Sequence, residues 1–377
     1  MFAWSPDHNQ SGPTEFVFRV FTTVPELQAL LFLLFLLLYL MILCGNTAII
    51  WAVRAHSSLR TPMYFFLSNL SFLEICYTSV VVPLMLSNIL GAQKPIPLAG
   101  CGAQMFFFVT LGSTDCFLLA VMAYDRYVAI RHPLHYALIM TQKLCVQMVV
   151  CALGLALFLS LQLTSLIFTL PFCGHRREIN HFLCDVPPVL RLACADTRVH
   201  QAVLYVVGIL VLTVPFLLIC VSYVFITSAI LCIRSAEGHR RAFSTCSSHL
   251  AVVLLQYGCC SLVYLRPRSS TSEDEDRQIA LVYTFVTPGR IRSAEGRRRA
   301  FSTCSSHLAV VLLQYGCCSL VYLRPRSSTS EDEDRQIALV YTFVTPLLNP
   351  LIYTLRNKDV KGALRSAIIS KAASDTS

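Results

Sequence analysis

Two carboxylates stand inside long apolar stretches of this 377-residue sequence, Glu74 in one stretch and Asp115 in the next. An ionisable side chain at membrane depth is costly, and it indicates a functional role by default. Two carboxylates with hydroxyl and amide oxygens nearby suit a hard cation, so Glu74 and Asp115 are expected to share a sodium ion. The alternative is that one carboxyl is protonated and hydrogen-bonded to Asn46 or Asn349, with no ion.

A continuous helix face connects Asp115 to an arginine. Residues at intervals of three, four and seven share one side of a helix. Plain packing accounts for the apolar and small members of this face but not for its two charges. The face consists of Phe108, Gly112, Asp115, Met122 and Arg126.

No motif in the sequence predicts catalysis. There is no G-x-G-x-x-G and no P-loop. His249 and His307 occupy equivalent positions in a repeated apolar block, where a histidine that packs between helices is expected rather than a metal ligand. We therefore predict no enzymatic activity and no organic cofactor.

The composition is that of a membrane protein. Hydrophobic residues make up 55% of the chain and charged residues 14%, and the mean hydropathy is +0.62. About a quarter of the residues of a soluble domain are charged. The net charge of +9 comes from basic residues in short loops between apolar blocks, so it indicates contact with membrane lipid and not with nucleic acid.

Eight apolar blocks are long enough to cross a membrane, which takes about 20 helical residues. Backbone amides cannot remain unpaired in lipid, so each block is predicted to be a helix. The blocks are Ala29 to Val53, Pro62 to Leu86, Gln104 to Ile130, Leu144 to Ile167, Ala202 to Cys232, Phe243 to Leu265, Phe301 to Leu323 and Gln336 to Leu355.

Lysine and arginine are concentrated in the loops after blocks one, three and five and in the C-terminal tail, so those parts are predicted to be cytoplasmic. The N-terminus is then extracellular, and Asn9 begins a glycosylation sequon there. Four cysteines fall on the same oxidising side, and their spacing leaves three pairings open. They are Cys101, Cys173, Cys184 and Cys194.

A 56-residue segment occurs twice at an offset of 58 residues. Ile233 to Pro288 matches Ile291 to Pro346 with one difference, His239 against Arg297. Solenoid repeats diverge and come in threes or more, so a local duplication or an assembled gene model explains this pair better. Without one period the chain has seven spans.

The second copy is the one expected to form the bundle. In the first copy, the span after the repeated block runs only from Gln278 to Pro288 before Gly289 interrupts it. Eleven helical residues cover about 16 Å, half of a bilayer. In the rival arrangement, Phe243 to Leu265 is span six and the second copy lies in the outer loop.

These inferences predict an all-α membrane protein, a bundle of seven transmembrane helices with a duplicated sixth-span segment. Its predicted parts are an extracellular N-terminus at 1–28, spans one to five at 29–232, the extra segment at 233–290, the working spans six and seven at 291–355 and a cytoplasmic tail at 356–377.

The motif MAYDRYVAIRHPLHY at 122–136 carries a family resemblance. With its supporting stretches, the chain resembles a vertebrate odorant receptor of the rhodopsin-like G-protein-coupled family. The stretches, in order along almost the whole chain, are GN at 45–46, TPMYFFLSNLSFLE at 61–74, INHFLCD at 179–185, SY at 222–223, AFSTCSSHL in either copy and PLLNPLIYTLRN at 346–357.

The resemblance implies roles for individual residues. Asp125, Arg126 and Tyr127 match the DRY element, whose arginine is held by its acidic neighbour in the inactive receptor and released toward the G protein on activation. The other implied features are tyrosines supporting the active arrangement (Tyr223 and Tyr353), the kinked end of span seven (Asn349 and Pro350), and disulfides joining Cys101 to Cys184 and Cys173 to Cys194.

By the same analogy, the ligand site lies in the outer half of the bundle between spans three, five, six and seven. Such a lining is apolar with a few hydroxyls, and it fits a small, volatile, mostly hydrophobic molecule. The residues expected to line it are Phe108, Val109, Gly112, Ser113, Val207, Gly208, Val211, Tyr315, Tyr322 and Thr342.

The implied partner is a heterotrimeric G protein of the stimulatory olfactory type that raises cyclic AMP, and the implied location is the plasma membrane of olfactory cilia. A transporter or channel built from a repeat is the competing hypothesis. Transporter repeats are many spans long and diverged, which argues against it. A receptor left non-functional by the duplication is a third.

Overall fold

The computed structural model describes residues 14–19, 21–22, 24–90, 95–172 and 178–231, and, nearer the C-terminus, residues 318, 322, 335, 337–347, 350 and 362. Five helices in these ranges are long and apolar enough to cross a membrane. They coincide with the first five predicted spans.

Spans one to four are single helices whose starts follow local rules. Helices α1 (Pro25–Ala55) and α2 (Pro62–Ile89) begin with proline, which has no N–H to leave unpaired in a first turn. Span three is α3 (Leu98–Arg131). Span four is α5 (Gln142–Phe168), where the Thr141 side chain accepts a hydrogen bond from the Leu144 N–H at 3.3 Å.

Span five contains a local widening. It consists of α7 (Arg198–Gly208), a π-helical turn (Ile209–Thr213) and α8 (Val214–Leu231). A second π-helical turn, Val340–Val344, lies in the C-terminal block. Each turn ends within two residues of a proline, Pro215 or Pro346, whose missing N–H interrupts the regular hydrogen-bond ladder.

Helices α2 and α3 form the centre of the bundle. In the most apolar part of each, 56% of the residues are buried, against 11% for α1, whose outer leucines form a lipid-facing surface. Helix α3 contacts α2, α5 and α8. The C-terminal block contributes Ala338, Tyr341 and Phe343 to a core shared with α1, α2 and α3.

A small three-stranded sheet, which the sequence analysis did not predict, accompanies the helices. Strand β1 (Glu15–Phe18) is the middle strand, with β2 (Ile96–Pro97) antiparallel on one side and β3 (Glu178–Ile179) parallel on the other. Phe16 and Phe18 are buried beneath it. The N-terminal segment therefore folds onto the bundle through backbone hydrogen bonds.

Three short helices complete the described secondary structure. A 3-10 helix (Ser57–Leu59) follows span one, α4 (Tyr136–Ile139) follows span three, and α6 (Val186–Leu190) lies between spans four and five. The duplicated segment at 233–290 lies outside the described residues. The assignment of spans six and seven to the second copy stays a prediction.

Candidate functional site

A disulfide fixes one end of the bundle. Cys101, at the start of α3, is bonded to Cys184, with their Cα atoms 5.4 Å apart. Next to it the buried Gln104 side chain accepts a hydrogen bond from the Cys184 N–H at 2.9 Å and donates to the Val80 carbonyl at 3.1 Å. The loop before α6 is thereby attached to spans two and three. We call this the disulfide end.

Of the other predicted surface features at this end, Cys194 is disulfide-bonded, whereas Cys173 and the glycosylation candidate Asn9 lie outside the described residues.

Asp185, the residue after Cys184 of this disulfide, is fully buried and accepts hydrogen bonds from three donors. Its Oδ1 accepts the Val186 N–H at 2.7 Å, which caps α6, and the Tyr322 hydroxyl at 2.7 Å. Its Oδ2 accepts the Tyr341 hydroxyl at 3.4 Å. One carboxylate therefore joins the loop to two tyrosines of the second repeat copy.

Beneath Asp185 is a cavity with about 560 Å³ of empty space, part of it open to solvent. Eight of the ten residues predicted for the ligand site lie along its wall. They are Phe108, Val109, Gly112 and Ser113 on span three, Val207, Gly208 and Val211 on span five, and Tyr322.

The remaining two predicted residues do not lie on this wall as described. Tyr315 is outside the described residues. Thr342 is buried away from the cavity, and the adjacent Tyr341 lines it instead, because successive residues on a helix point in different directions.

The sequence prediction also missed wall residues. Tyr77 on span two and Leu163 on span four belong to helices that the family analogy left out. The other missed wall residues are Cys116, Leu204, Leu212, Cys318 and Tyr341. The helical spacing of apolar residues predicts a buried face but not which neighbour that face meets. Only the hydroxyls of Tyr77 and Tyr341, polar groups in apolar spans, offered a signal.

The two carboxylates predicted to share a cation are both buried, Glu74 and Asp115 each being 3% exposed. They are close enough to interact electrostatically, and among the residues that the structure describes Oδ1 of Asp115 has no hydrogen-bond partner. The amide nitrogen of Asn46 donates to the carbonyls of Ile42 and Pro346, at 3.0 and 3.2 Å, and not to either carboxylate. Asn349 lies outside the described residues.

At the opposite end of α3, the buried Asp125 is bound by a loop tyrosine. Its Oδ1 accepts the Tyr136 hydroxyl at 2.7 Å. Burial raises the pKa of Tyr136 well above its usual value, and the hydrogen bond to Asp125 raises it further, so the phenol remains a donor. The neighbouring Arg126 has two buried guanidinium nitrogens, Nε and Nη2, that have no hydrogen-bond partner in the described part of the chain.

The other residues predicted for this end are arranged around α3. Tyr127 contacts the ring of Phe225 on α8, with centroids 5.9 Å apart. Tyr127 and Tyr223 both pack against a hydrophobic cluster that includes Met122 and Ile219. Pro350 lies against Gly45 of span one, where an added Cβ would be 3.0 Å from the proline Cγ. Tyr353 and Asn349 are outside the described residues.

The N-terminal segment covers the disulfide end. The Arg335 guanidinium lies 4.0 Å above the Phe21 ring, and its Nη2 donates to the Arg19 carbonyl at 3.3 Å. Phe21 also stacks on Phe182. His181 lies beside them. Burial is the main cause that lowers the pKa of His181 to about 3, and the charges of Arg335 and Arg191 contribute less. The ring is therefore neutral, and its Nδ1 accepts a hydrogen bond from the Leu183 N–H.

Comparison with known proteins agrees with this arrangement. Residues 45–353 match the family described as 7 transmembrane receptor (rhodopsin family). The chain is 74% identical over 367 residues to the human protein named Olfactory receptor 10Q1, covering 97% of each chain. It is 48% identical to human Olfactory receptor 10V1, covering 96% of this chain and 98% of that one, and 40% identical to mouse Olfactory receptor 10J5, covering 96% and 97%.

Proposed function

Because this chain belongs to the olfactory receptors of the rhodopsin family of seven-transmembrane receptors, we propose that its cavity binds small, volatile, mostly hydrophobic molecules. The observation that carries the proposal is the cavity itself, a largely apolar space between spans two to five and the second repeat copy. Burial of apolar surface there would supply most of the affinity, at about 25 cal/mol per Å². The chain is a multi-pass plasma-membrane protein and not an enzyme.

The mechanism we propose is a population shift. A ligand that contacts Tyr322 and Tyr341 better in one arrangement of the bundle favours that arrangement by its difference in affinity. Both tyrosines are hydrogen-bonded to Asp185, so a ligand between them and α3 acts on the contact between the loop and the second repeat copy. Span six would then move outward at the opposite end.

The proposed partner at that end is a heterotrimeric G protein of the stimulatory olfactory type, which raises cyclic AMP. Two buried nitrogens of Arg126 without a hydrogen-bond partner among the described residues support a role for this residue in partner binding. One oxygen of the acidic neighbour, Oδ1 of Asp125, is bound by the loop residue Tyr136.

For the topology, we propose that the second copy forms spans six and seven, with the N-terminus outside and the receptor in olfactory cilia. The contacts of Asn46 with Pro346 and of Asp185 with Tyr322 support this use of the second copy.

We also propose that Glu74 and Asp115 share a sodium ion. Their oxygens are ligands of the kind such a hard cation prefers, and the unpaired Oδ1 of Asp115 supports the fit. The bound ion would balance the charge of two neighbouring carboxylates.

Cyclic AMP in transfected cells tests the proposal. The full chain, an Arg126→Ala variant and a form lacking residues 233–290 are challenged with a broad odorant panel, after surface staining. We expect odorant-dependent cyclic AMP from both the full chain and the shortened form and none from Arg126→Ala. Arg198→Ala, which changes an exposed arginine at the disulfide end, should behave as its parent.

The duplication favours a second candidate, a receptor variant that cannot signal. A response from the shortened form alone would support that candidate. If both forms reached the cell surface and neither raised cyclic AMP with any odorant, the result would count against the receptor function.

A further inference from the structure

The N-terminal segment joins two parts of the molecule at the disulfide end. We call its described residues, 14–19 and 21–22, the N-terminal strap. The Arg19 N–H donates to the carbonyl of Ile179, in the loop between spans four and five, at 2.9 Å. The Arg19 carbonyl accepts a hydrogen bond from Nη2 of Arg335, in the second repeat copy, at 3.3 Å. One strap residue therefore connects the loop to the second copy.

Phe21 makes the same connection with its side chain. Its ring stacks on Phe182 of the loop, with centroids 6.0 Å apart, and the guanidinium carbon of Arg335 lies 4.0 Å from its centroid. The ring also packs against the core that contains Phe182 and Tyr341. A cation above an aromatic face is attracted by the negative charge of that face, and more strongly where water is partly excluded. The strap therefore attracts Arg335 specifically.

The loop and the second copy are thus attached to each other at two places. Asp185 of the loop accepts hydrogen bonds from Tyr322 and Tyr341. The strap adds an attachment through Arg19 and Phe21. Both attachments stabilise the same arrangement of the loop against the second copy, so loss of the strap contacts weakens that arrangement even when Asp185 keeps its own contacts.

The described arrangement does not present all of Arg126 to a partner. Its Nε and Nη2 are buried at the opposite end of α3. A G protein cannot reach these two nitrogens unless the surrounding helices move. An attachment that stabilises the described arrangement therefore opposes signalling.

We infer that the N-terminal strap restrains the receptor when no odorant is bound, and that Phe21 and Arg335 are the positioning residues through which it acts. This inference rests on the proposed function and concerns its regulation. When the strap contacts are lost, the population of the signalling arrangement rises by the factor by which those contacts had lowered it. The half-maximal concentration of an activating odorant falls by a similar factor, because more of the receptor is already competent to bind.

The test uses variants of the full-length receptor. Phe21→Leu keeps an apolar side chain without an aromatic face, Arg335→Gln keeps a donor without a charge, and the double variant combines them. Phe21→Tyr is the conservative variant, since it retains the aromatic face. The matched controls are Phe158→Leu, on the exposed surface of span four, and Arg277→Gln, at the equivalent position of the first copy.

Two quantities are measured without odorant: cyclic AMP in cells, normalised to the receptor at the surface, and hydrogen exchange of the purified receptor. We expect Phe21→Leu and Arg335→Gln each to raise cyclic AMP roughly two- to five-fold, as loss of one cation–aromatic contact would. The double variant should resemble the single variants, because both changes remove the same contact. Phe21→Tyr should stay closer to the parent than Phe21→Leu, and both controls should match the parent.

Hydrogen exchange separates this role from a purely local one. In Phe21→Leu, exchange should rise at α4, at the opposite end of the bundle, as well as at β1. A rise at β1 alone, with odorant-independent cyclic AMP unchanged in both single variants, would overturn the inference. An effect of Arg277→Gln as large as that of Arg335→Gln would overturn it too.

Both of those results leave the proposed function standing if odorants still raise cyclic AMP. A rise of α4 exchange in Phe21→Leu, from receptors that reach the surface but give no cyclic AMP with any odorant, would support restraint by the strap and count against the proposed function.

Discussion

The phenolic oxygen of Tyr322 lies 2.7 Å from Oδ1 of Asp185, although 137 positions separate the two residues in the chain. The contact closes the cavity at the disulfide end and uses the second repeat copy. The first copy contains an equivalent residue, Tyr264, at the same place in the repeat. This pair of tyrosines offers a direct test of which copy occupies the bundle.

Tyr322→Phe should lower the free energy of unfolding by roughly 1.5–3 kcal/mol, because a hydrogen bond to a buried carboxylate is lost. Tyr264→Phe should have no effect. The measurement is thermal unfolding of the purified full-length receptor. If Tyr264→Phe destabilised the receptor and Tyr322→Phe did not, the first copy would be the one in the bundle.

Gly45→Ala should also destabilise the receptor. The new methyl group would stand 3.0 Å from Cγ and 3.1 Å from Cβ of Pro350, and a proline ring cannot rotate away. We expect a loss of about 1–3 kcal/mol, the usual cost of overpacking. Gly154→Ala is the matched control, since nothing lies within 4 Å of its added Cβ. Equal melting temperatures for the two variants would refute the close approach of spans one and seven.

Tyr136→Phe should loosen α4 from span three, because it leaves the buried Asp125 carboxylate without its donor at 2.7 Å. The expected loss is again roughly 1.5–3 kcal/mol. Protection of the α4 amides from hydrogen exchange should fall along with it. Tyr124→Phe, on the exposed side of the same helix end, serves as the control and should leave both measurements unchanged.

Acid should destabilise the disulfide end through His181. Its folded-state pKa is about 3, below the usual 6.5. Between pH 3 and pH 6.5, the unfolded chain therefore binds a proton at His181 that the folded chain does not bind. The stabilising contribution is therefore complete above pH 6.5 and is lost as pH falls from 6.5 toward 3. The slope of the unfolding free energy is at most about 1.4 kcal/mol per pH unit.

Thermal unfolding between pH 7.5 and pH 5 measures this effect. His181→Asn keeps an acceptor for the Leu183 N–H but does not titrate, so its melting temperature should depend less on pH than that of the parent. Identical pH dependence in the two proteins would exclude His181 as the cause.

The parts of the fold that depend on local composition could be predicted from the sequence. Long apolar runs predicted the ends of the first five spans to within six residues, and helical spacing placed Phe108 and Gly112 on one face. Contacts between distant segments could not be predicted in this way. Tyr77 reaches the cavity wall because of how α2 is rotated against α3, which no periodicity in α2 alone specifies.

Strands β2 and β3 have two residues each, too few to show an alternating pattern. Asp185 belongs to a stretch that carries the family resemblance, but the sequence around it does not indicate its hydrogen bonds to Tyr322 and Tyr341, which come from the repeated segment. The π-helical turns lie close to Pro215 and Pro346, but a proline in the sequence does not specify which type of helix irregularity forms beside it.

The middle position of β1 in its sheet has a consequence for biosynthesis. Glu15–Phe18 emerges among the first residues of the chain, but one neighbour, Ile96–Pro97, follows about 80 residues later and the other, Glu178–Ile179, about 160 residues later. At roughly 5–20 residues per second, the strand waits many seconds with both edges unpaired. Four spans must be synthesised before the sheet can close. A complete sheet at this end of the receptor therefore requires that the first four spans have been made and that the segments between them lie on the same side.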